Sequence, residues 1–156
     1  MRRKDREVKD PALIEEVIKR CTCCRIGFYD HAEVYIVPLN FGYETDGYGY
    51  TFYFHGAEEG RKMDLIRQSP KVGFEMDTNY ALKEANAACS FSAGFQSVIG
   101  TGVVRLVTTF DEKQHGLSRI MEHNTGKNHW EFDKKMVDRV AVFKLEVTQM
   151  SCKIHT

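Results

Sequence analysis

The chain has 156 residues, 42% of them hydrophobic and 28% charged, with 22 basic side chains balanced by 22 acidic ones. That balance argues against a protein that grips a nucleic-acid backbone by neutralising phosphates, and no apolar run reaches the length of a membrane-spanning helix. A single domain over 1–156 is long enough to bury a core without disulfides or metal.

The start, Met1-Arg2-Arg3-Lys4-Asp5-Arg6-Glu7, lacks the apolar stretch of a signal peptide, so the expected compartment is the cytoplasm. Asp10-Pro11 reads as a helix cap followed by a proline at the first helical position, with Leu13, Ile14, Val17 and Ile18 at helical spacing. Cys21, Cys23 and Cys24 come next. Together with Cys89 and Cys152 they make an odd count without an export signal, which predicts reduced thiols. No second pair follows at zinc-site spacing, so the cluster is read as small buried or half-buried residues at a helix-to-strand junction rather than as a metal site.

Residues 25–29 and 34–39 read as strands joined by the turn Asp30-His31-Ala32-Glu33, and Thr45-Asp46-Gly47 breaks the chain before a third strand over 48–54. The period then becomes helical over 58–68, with Met63, Leu65 and Ile66 on one face, and stops before Ser69-Pro70. Strand resumes over 71–76. The polar, alanine-rich stretch 77–88 is expected to be an exposed excursion with a short helix, and the glycines within 97–107 predict a bend or bulge in a long strand. A last helix over 111–123, with Gly126 near its stop, precedes a final strand over 140–150. About six strands without regular βαβ alternation predict a mainly β fold, an antiparallel barrel with helical insertions.

The densest chemical signal is Phe54-His55-Gly56-Ala57-Glu58-Glu59-Gly60-Arg61-Lys62. A strand enters a glycine-punctuated turn, and two cations follow in the first turn of a helix, where the dipole disfavours them unless an anion joins them. Arg61 and Lys62 therefore predict a phosphate. The opposed reading is that Glu58 and Glu59 balance the dipole and both cations are merely solvated. In Val37-Pro38-Leu39-Asn40-Phe41-Gly42-Tyr43 the proline places the strand at a sheet edge, where backbone is free to meet a planar ligand; a plain strand end is the alternative. Gln96 and Ser97 head an apolar strand and are either ligand contacts or ordinary strand-end polar groups. His31, His115, His123 and His129 with Glu122 lack the spacing of a metal site and are read as surface residues. Ser90 and Ser92 lack a nucleophile-elbow pattern, and neither a Walker A loop nor GxGxxG is present.

In order, Met1-Arg2-Arg3-Lys4-Asp5-Arg6-Glu7, Val37-Pro38-Leu39-Asn40-Phe41-Gly42-Tyr43, Phe54-His55-Gly56-Ala57-Glu58-Glu59-Gly60-Arg61-Lys62, Ser97-Val98-Ile99-Gly100-Thr101-Gly102, Asp111-Glu112-Lys113 and Ile120-Met121 resemble the Nim-type nitroimidazole-resistance proteins. These are a branch of the pyridoxamine 5′-phosphate oxidase-like flavin-binding split barrels. The resemblance implies a six-stranded antiparallel split barrel and a homodimer with flavin mononucleotide (FMN) in clefts at the subunit interface. It implies that Arg61 and Lys62 hold the flavin phosphate and that Val37, Pro38, Leu39 and Asn40 line the ring and ribityl chain. His55 enters the cleft, and Gln96 and Ser97 reach flavin, often the partner's. Trp130 and Arg139 echo a late Trp and Arg of the oxidases only loosely, and a core or interface Trp is the alternative.

The oxidases' C-terminal Arg-x-His is not matched in Met150-Ser151-Cys152-Lys153-Ile154-His155-Thr156, which argues against vitamin B6 oxidation. The resemblance implies instead an FMN-dependent reductase of small electron-poor substrates such as nitroimidazoles, with His55 as proton donor or substrate contact. The alternative for His55 is a structural role. The competing function is a non-catalytic flavin- or haem-binding protein for storage, sensing or protection.

Overall fold

The computed structural model describes residues 3–156; Met1 and Arg2, which open the first of the matched motifs, lie outside them. Strand β1 (Glu7–Val8) precedes helix α1 (Pro11–Arg20), which the Asp10 side chain caps by accepting from the Ala12 amide at 2.9 Å. The chain continues through β2 (Cys24–Asp30), β3 (Glu33–Leu39), β4 (Gly42–Thr45) and β5 (Tyr50–Gly56) to α2 (Arg61–Gln68). Then come β6 (Lys71–Lys83), β7 (Ser92–Val107), α3 (Phe110–Thr125), α4 (Lys134–Val137) and β8 (Ala141–His155). No helix among the described residues is long and apolar enough to cross a membrane.

The strands form one antiparallel sheet in the order β3-β2-β6-β7-β8-β5-β4, with β1 added on β8. Its two edge strands, β3 and β4, are consecutive in the chain and linked only through Asn40 and Phe41. The sheet therefore coils into a barrel that is split rather than closed. Phe28, Phe41, Phe52, Phe54 and Phe143 fill it, each fully buried. The Phe54 and Phe143 rings stack at 5.2 Å, and Phe41 meets Phe52 edge-on at 5.7 Å.

The mainly β split-barrel expectation holds, with eight strands in place of six. The extra two, β1 and β4, have two and four residues, too few for a period to show. The 77–88 stretch is corrected: β6 continues to Lys83 across a register shift at Thr78/Ala81, where Asn79 takes a φ of 55°. Because most of this segment is exposed, its sequence does not alternate, and the strand is invisible to periodicity. Only Ala88–Ser90 forms a helical turn. The bulge expected within 97–107 lies at Thr101/Gly102.

Cys21 and Cys24 are buried at the junction of α1 and β2, Cys23 is half-buried, and burial pushes the Cys21 thiol up to about 12, with Asp77 adding to it. His123 corrects the surface-histidine expectation: its Nε2 lies 2.7 Å from the Cys21 carbonyl oxygen and its ring sits 4.3 Å from that of Phe41. Helix α3 is thereby fastened over β4. At Gly42 the helix comes so close that a Cβ would overlap the backbone of Arg119 and Ile120. Gly42→Ala is accordingly expected to cost about 1–3 kcal/mol, read as a lower urea midpoint at unchanged slope.

Candidate functional site

Strand β5 delivers His55 and Gly56 to the start of α2, with His55 opposite Val142 and Gly56 opposite Ala141 in the ladder to β8. Among the four α-helices, α1, α3 and α4 begin on a side chain that accepts from the backbone; α2 begins on Gly60 and has no such cap. Its first amides are thus free of a local side-chain acceptor.

Arg61 and Lys62, adjacent in sequence, have different surroundings. Arg61 is ion-paired: Nη2 lies 2.6 Å from Asp30 Oδ2 and 3.4 Å from Glu33 Oε2, and the guanidinium stands 4.5 Å above the Tyr35 ring. Lys62 has no carboxylate partner within ion-pair distance among the described residues. Its ammonium sits 5.6 Å from the Phe143 ring centre, and a Cβ on Gly56 would come within 2.6 Å of Nζ. Burial lowers the Lys62 pKa from its ordinary 10.5. Glu58 supplies the counterion to neither; its closest cation is Lys113, 3.9 Å away.

His55 is solvent-accessible but crowded. Desolvation first, and the Lys62 charge second, lower its pKa below the ordinary imidazole value of 6.5, which favours the neutral ring.

Val37, Pro38 and Leu39 lie on β3, an edge strand, the position a proline tolerates. Arg61 over Tyr35 ties the start of α2 to this strand. The other end of the strand leads to Asn40, whose Nδ2 donates to the Thr22 carbonyl at 3.3 Å. Seven residues of strand separate these ends by roughly 20 Å. Gln96 and Ser97 are not at the cation pair. They lie at the far end of β7, where Gln96 Oε1 accepts from Arg20 at 3.3 Å. Val107, opposite Val142 and so level with His55, is ten residues further along β7, about 33 Å of extended strand. Trp130 is half-buried in the loop after α3, its Nε1 donating to the Lys127 carbonyl at 2.8 Å. Arg139 is exposed.

The structure thus brings together His55, Arg61, Lys62 and the first half of β3, with Val37, Pro38, Leu39 and Asn40 running away from them along that strand and Gln96, Ser97 and Trp130 elsewhere. Sequence reasoning missed Asp30, Glu33 and Tyr35. Their only local sign was the pair of acids flanking a hairpin turn. A cleft of about 530 Å³ between α1, β4 and α3 is a poorer candidate. Its cations already have counterions, Lys19 in Glu15 at 2.9 Å and Arg119 in Glu122 at 3.0 Å, although the buried Arg119 Nε has no hydrogen-bond partner among the described residues.

Residues 10–154 match the family model described as pyridoxamine 5′-phosphate oxidase. Among solved structures, a candidate 5-nitroimidazole antibiotic resistance protein from Bacteroides thetaiotaomicron is 32% identical, with 95% of this chain and 86% of that one covered, at a TM-score of 0.81. The flavocytochrome Anf3 from Azotobacter vinelandii is 19% identical, covering 100% of this chain and 72% of its own, at 0.81. A FAD- and haem-binding protein from Mycobacterium smegmatis is 10% identical, covering 96% and 73%, at 0.83. The last two share the fold. No curated protein sequence matches the chain.

A half-buried ammonium without a counterion destabilises the ligand-free fold. Lys62→Met is expected to raise its stability by about 0.5–1 kcal/mol in thermal or urea unfolding. The difference is fully present at neutral pH, where Lys62 is charged in both folded and unfolded chains. It shrinks as pH rises from the lowered folded-state value towards 10.5.

Proposed function

Since the chain belongs to the pyridoxamine 5′-phosphate oxidase family, and within it resembles the Bacteroides protein, we propose that it is an FMN-binding reductase of small electron-poor substrates such as nitroimidazoles. The observation that carries this reading is Lys62, a half-buried cation with no counterion among the described residues, at the uncapped start of α2. A phosphate answers both features, by neutralising the ammonium and accepting from the first helix amides. The free edge of β3 runs on from there for a length suited to the ribityl chain and ring.

Two chains suit the site better than one. The outer face of β2 and β3 exposes Tyr29, Val34 and Ile36, with Val34 at 67% and Ile36 at 61% of full exposure. Register puts the bare Gly27 and Gly73 beside Ile36, so this face is flat and apolar. A homodimer formed there covers that surface and lets Gln96 and Ser97 of one chain approach the flavin of the other. Trp130 serves its own loop in this reading.

FMN supplies the electrons; the protein holds it and shapes access. The neutral state favoured for His55 suits an imidazole N–H that hydrogen-bonds a nitro oxygen, so substrate contact is preferred over full proton donation. The reaction is assigned to the cytoplasm.

Purified protein is expected to be yellow and to release one FMN per chain on denaturation. After anaerobic reduction, adding a nitroimidazole should reoxidise the flavin faster than buffer alone. Equal rates would leave a non-catalytic flavin binder, and a colourless protein that takes up no added FMN would sink both readings. Arg61→Ala with Lys62→Ala should weaken FMN binding by about 1.5–3 kcal/mol for each charge-assisted hydrogen bond to the phosphate that the substitutions remove.

A further inference from the structure

The guanidinium of Arg61 is held through its Nε and Nη2. Its Nε donates to Asp30 Oδ2 at 2.8 Å and its Nη2 lies 2.6 Å from the same oxygen, while Nη1 has no hydrogen-bond partner among the described residues. Tyr35 fixes the plane from below, 4.5 Å away. The two carboxylates that reach this arginine are not equivalent. The Asp30 side chain is 19% exposed at the end of β2, whereas that of Glu33 is 78% exposed and stands farther off at 3.4 Å.

We propose that Asp30 is a positioning residue for phosphate recognition. It grips the Nε and Nη2 of Arg61 against Tyr35 and leaves Nη1 as the free donor for a phosphate. The proposal rests on the FMN reading above and adds to it a residue that touches no ligand.

The physical argument is preorganisation. A free arginine loses much rotamer freedom when it closes on an anion; one already clamped has lost it on folding, so less is lost on binding. Lys62 needs no such clamp. A lysine offers a point charge without a planar fork to orient, and the Lys62 side chain is already confined between Gly56 and Phe143.

The test compares FMN with riboflavin, which is the same ring and ribityl chain without phosphate, by fluorescence titration at one salt concentration. Asp30→Asn and Arg61→Lys are each expected to weaken FMN binding about tenfold while leaving riboflavin within twofold of wild type. The FMN-to-riboflavin preference therefore falls in both variants. Asp30→Asn protein that binds FMN as tightly as wild type, or tighter, overturns the proposal and makes Asp30 a competitor for the arginine. Equal losses for the two compounds also overturn it, since they mark a purely structural role. Should Asp30→Asn unfold at the assay temperature, Asp30→Glu, which keeps the charge but displaces the carboxylate from Nε and Nη2, decides by the same ratio, a retained wild-type FMN-to-riboflavin preference overturning the proposal. Wild-type protein that takes up neither compound removes the flavin reading itself, an outcome distinct from any failure of a variant.

Discussion

Strands β3 and β4 are opposite ends of the sheet path, yet Asn40 and Phe41 alone connect them. A link of that length spans roughly 10 Å. The sheet must therefore coil until its first and last strands stand near each other. Phe41, fully buried, is the side chain that fills the gap, held between Phe52 inside the barrel and His123 on α3. The coil decides what lies inside and what lies out. It puts the phenylalanines in the interior, leaves β3 with one unpaired edge, and carries the β2–β3 turn round to meet the start of α2, where Asp30 finds Arg61.

The two neighbouring cations at that meeting point show how little a formal charge count says about a site. Arg61 faces two carboxylates and stacks on a ring, whereas Lys62 faces an aromatic ring and backbone. Exposed pairs such as Arg61 with Glu33 contribute little to stability. The ammonium without a counterion is costly, and the fold tolerates it where an anion would remove the cost. A chain of zero formal charge thus concentrates its electrostatic preference in one half-buried side chain.

Much of the fold is legible in the sequence because its strands alternate or are dense in aromatic and β-branched residues, and its helices carry caps and stops of ordinary type. Asp10 before α1 and Gly126 after α3, in the left-handed conformation, act as the sequence suggests. Strands β1 and β4 leave no such trace, because pairing, not composition, makes them strands. Neither does the end of β6, which has no buried face to impress a period on its residues. At the site, the cation pair and the edge proline can be read locally. The division of labour between Arg61 and Lys62 cannot, because Asp30 lies 31 positions away from Arg61 and reaches it only through the curvature of the sheet. The role of His123 is hidden for the same reason: its partner, the Cys21 carbonyl, is 102 positions away.

The open edge of β3 has a price in solution behaviour. A row of unpaired amides and carbonyls beside exposed Val34 and Ile36 is a template on which another strand can add, the first step of edge-to-edge aggregation. Pro38 interrupts that row by lacking an amide, and Glu33 sets a charge at its start. The proline is therefore the strand's guard, because an added strand finds one donor fewer along this edge.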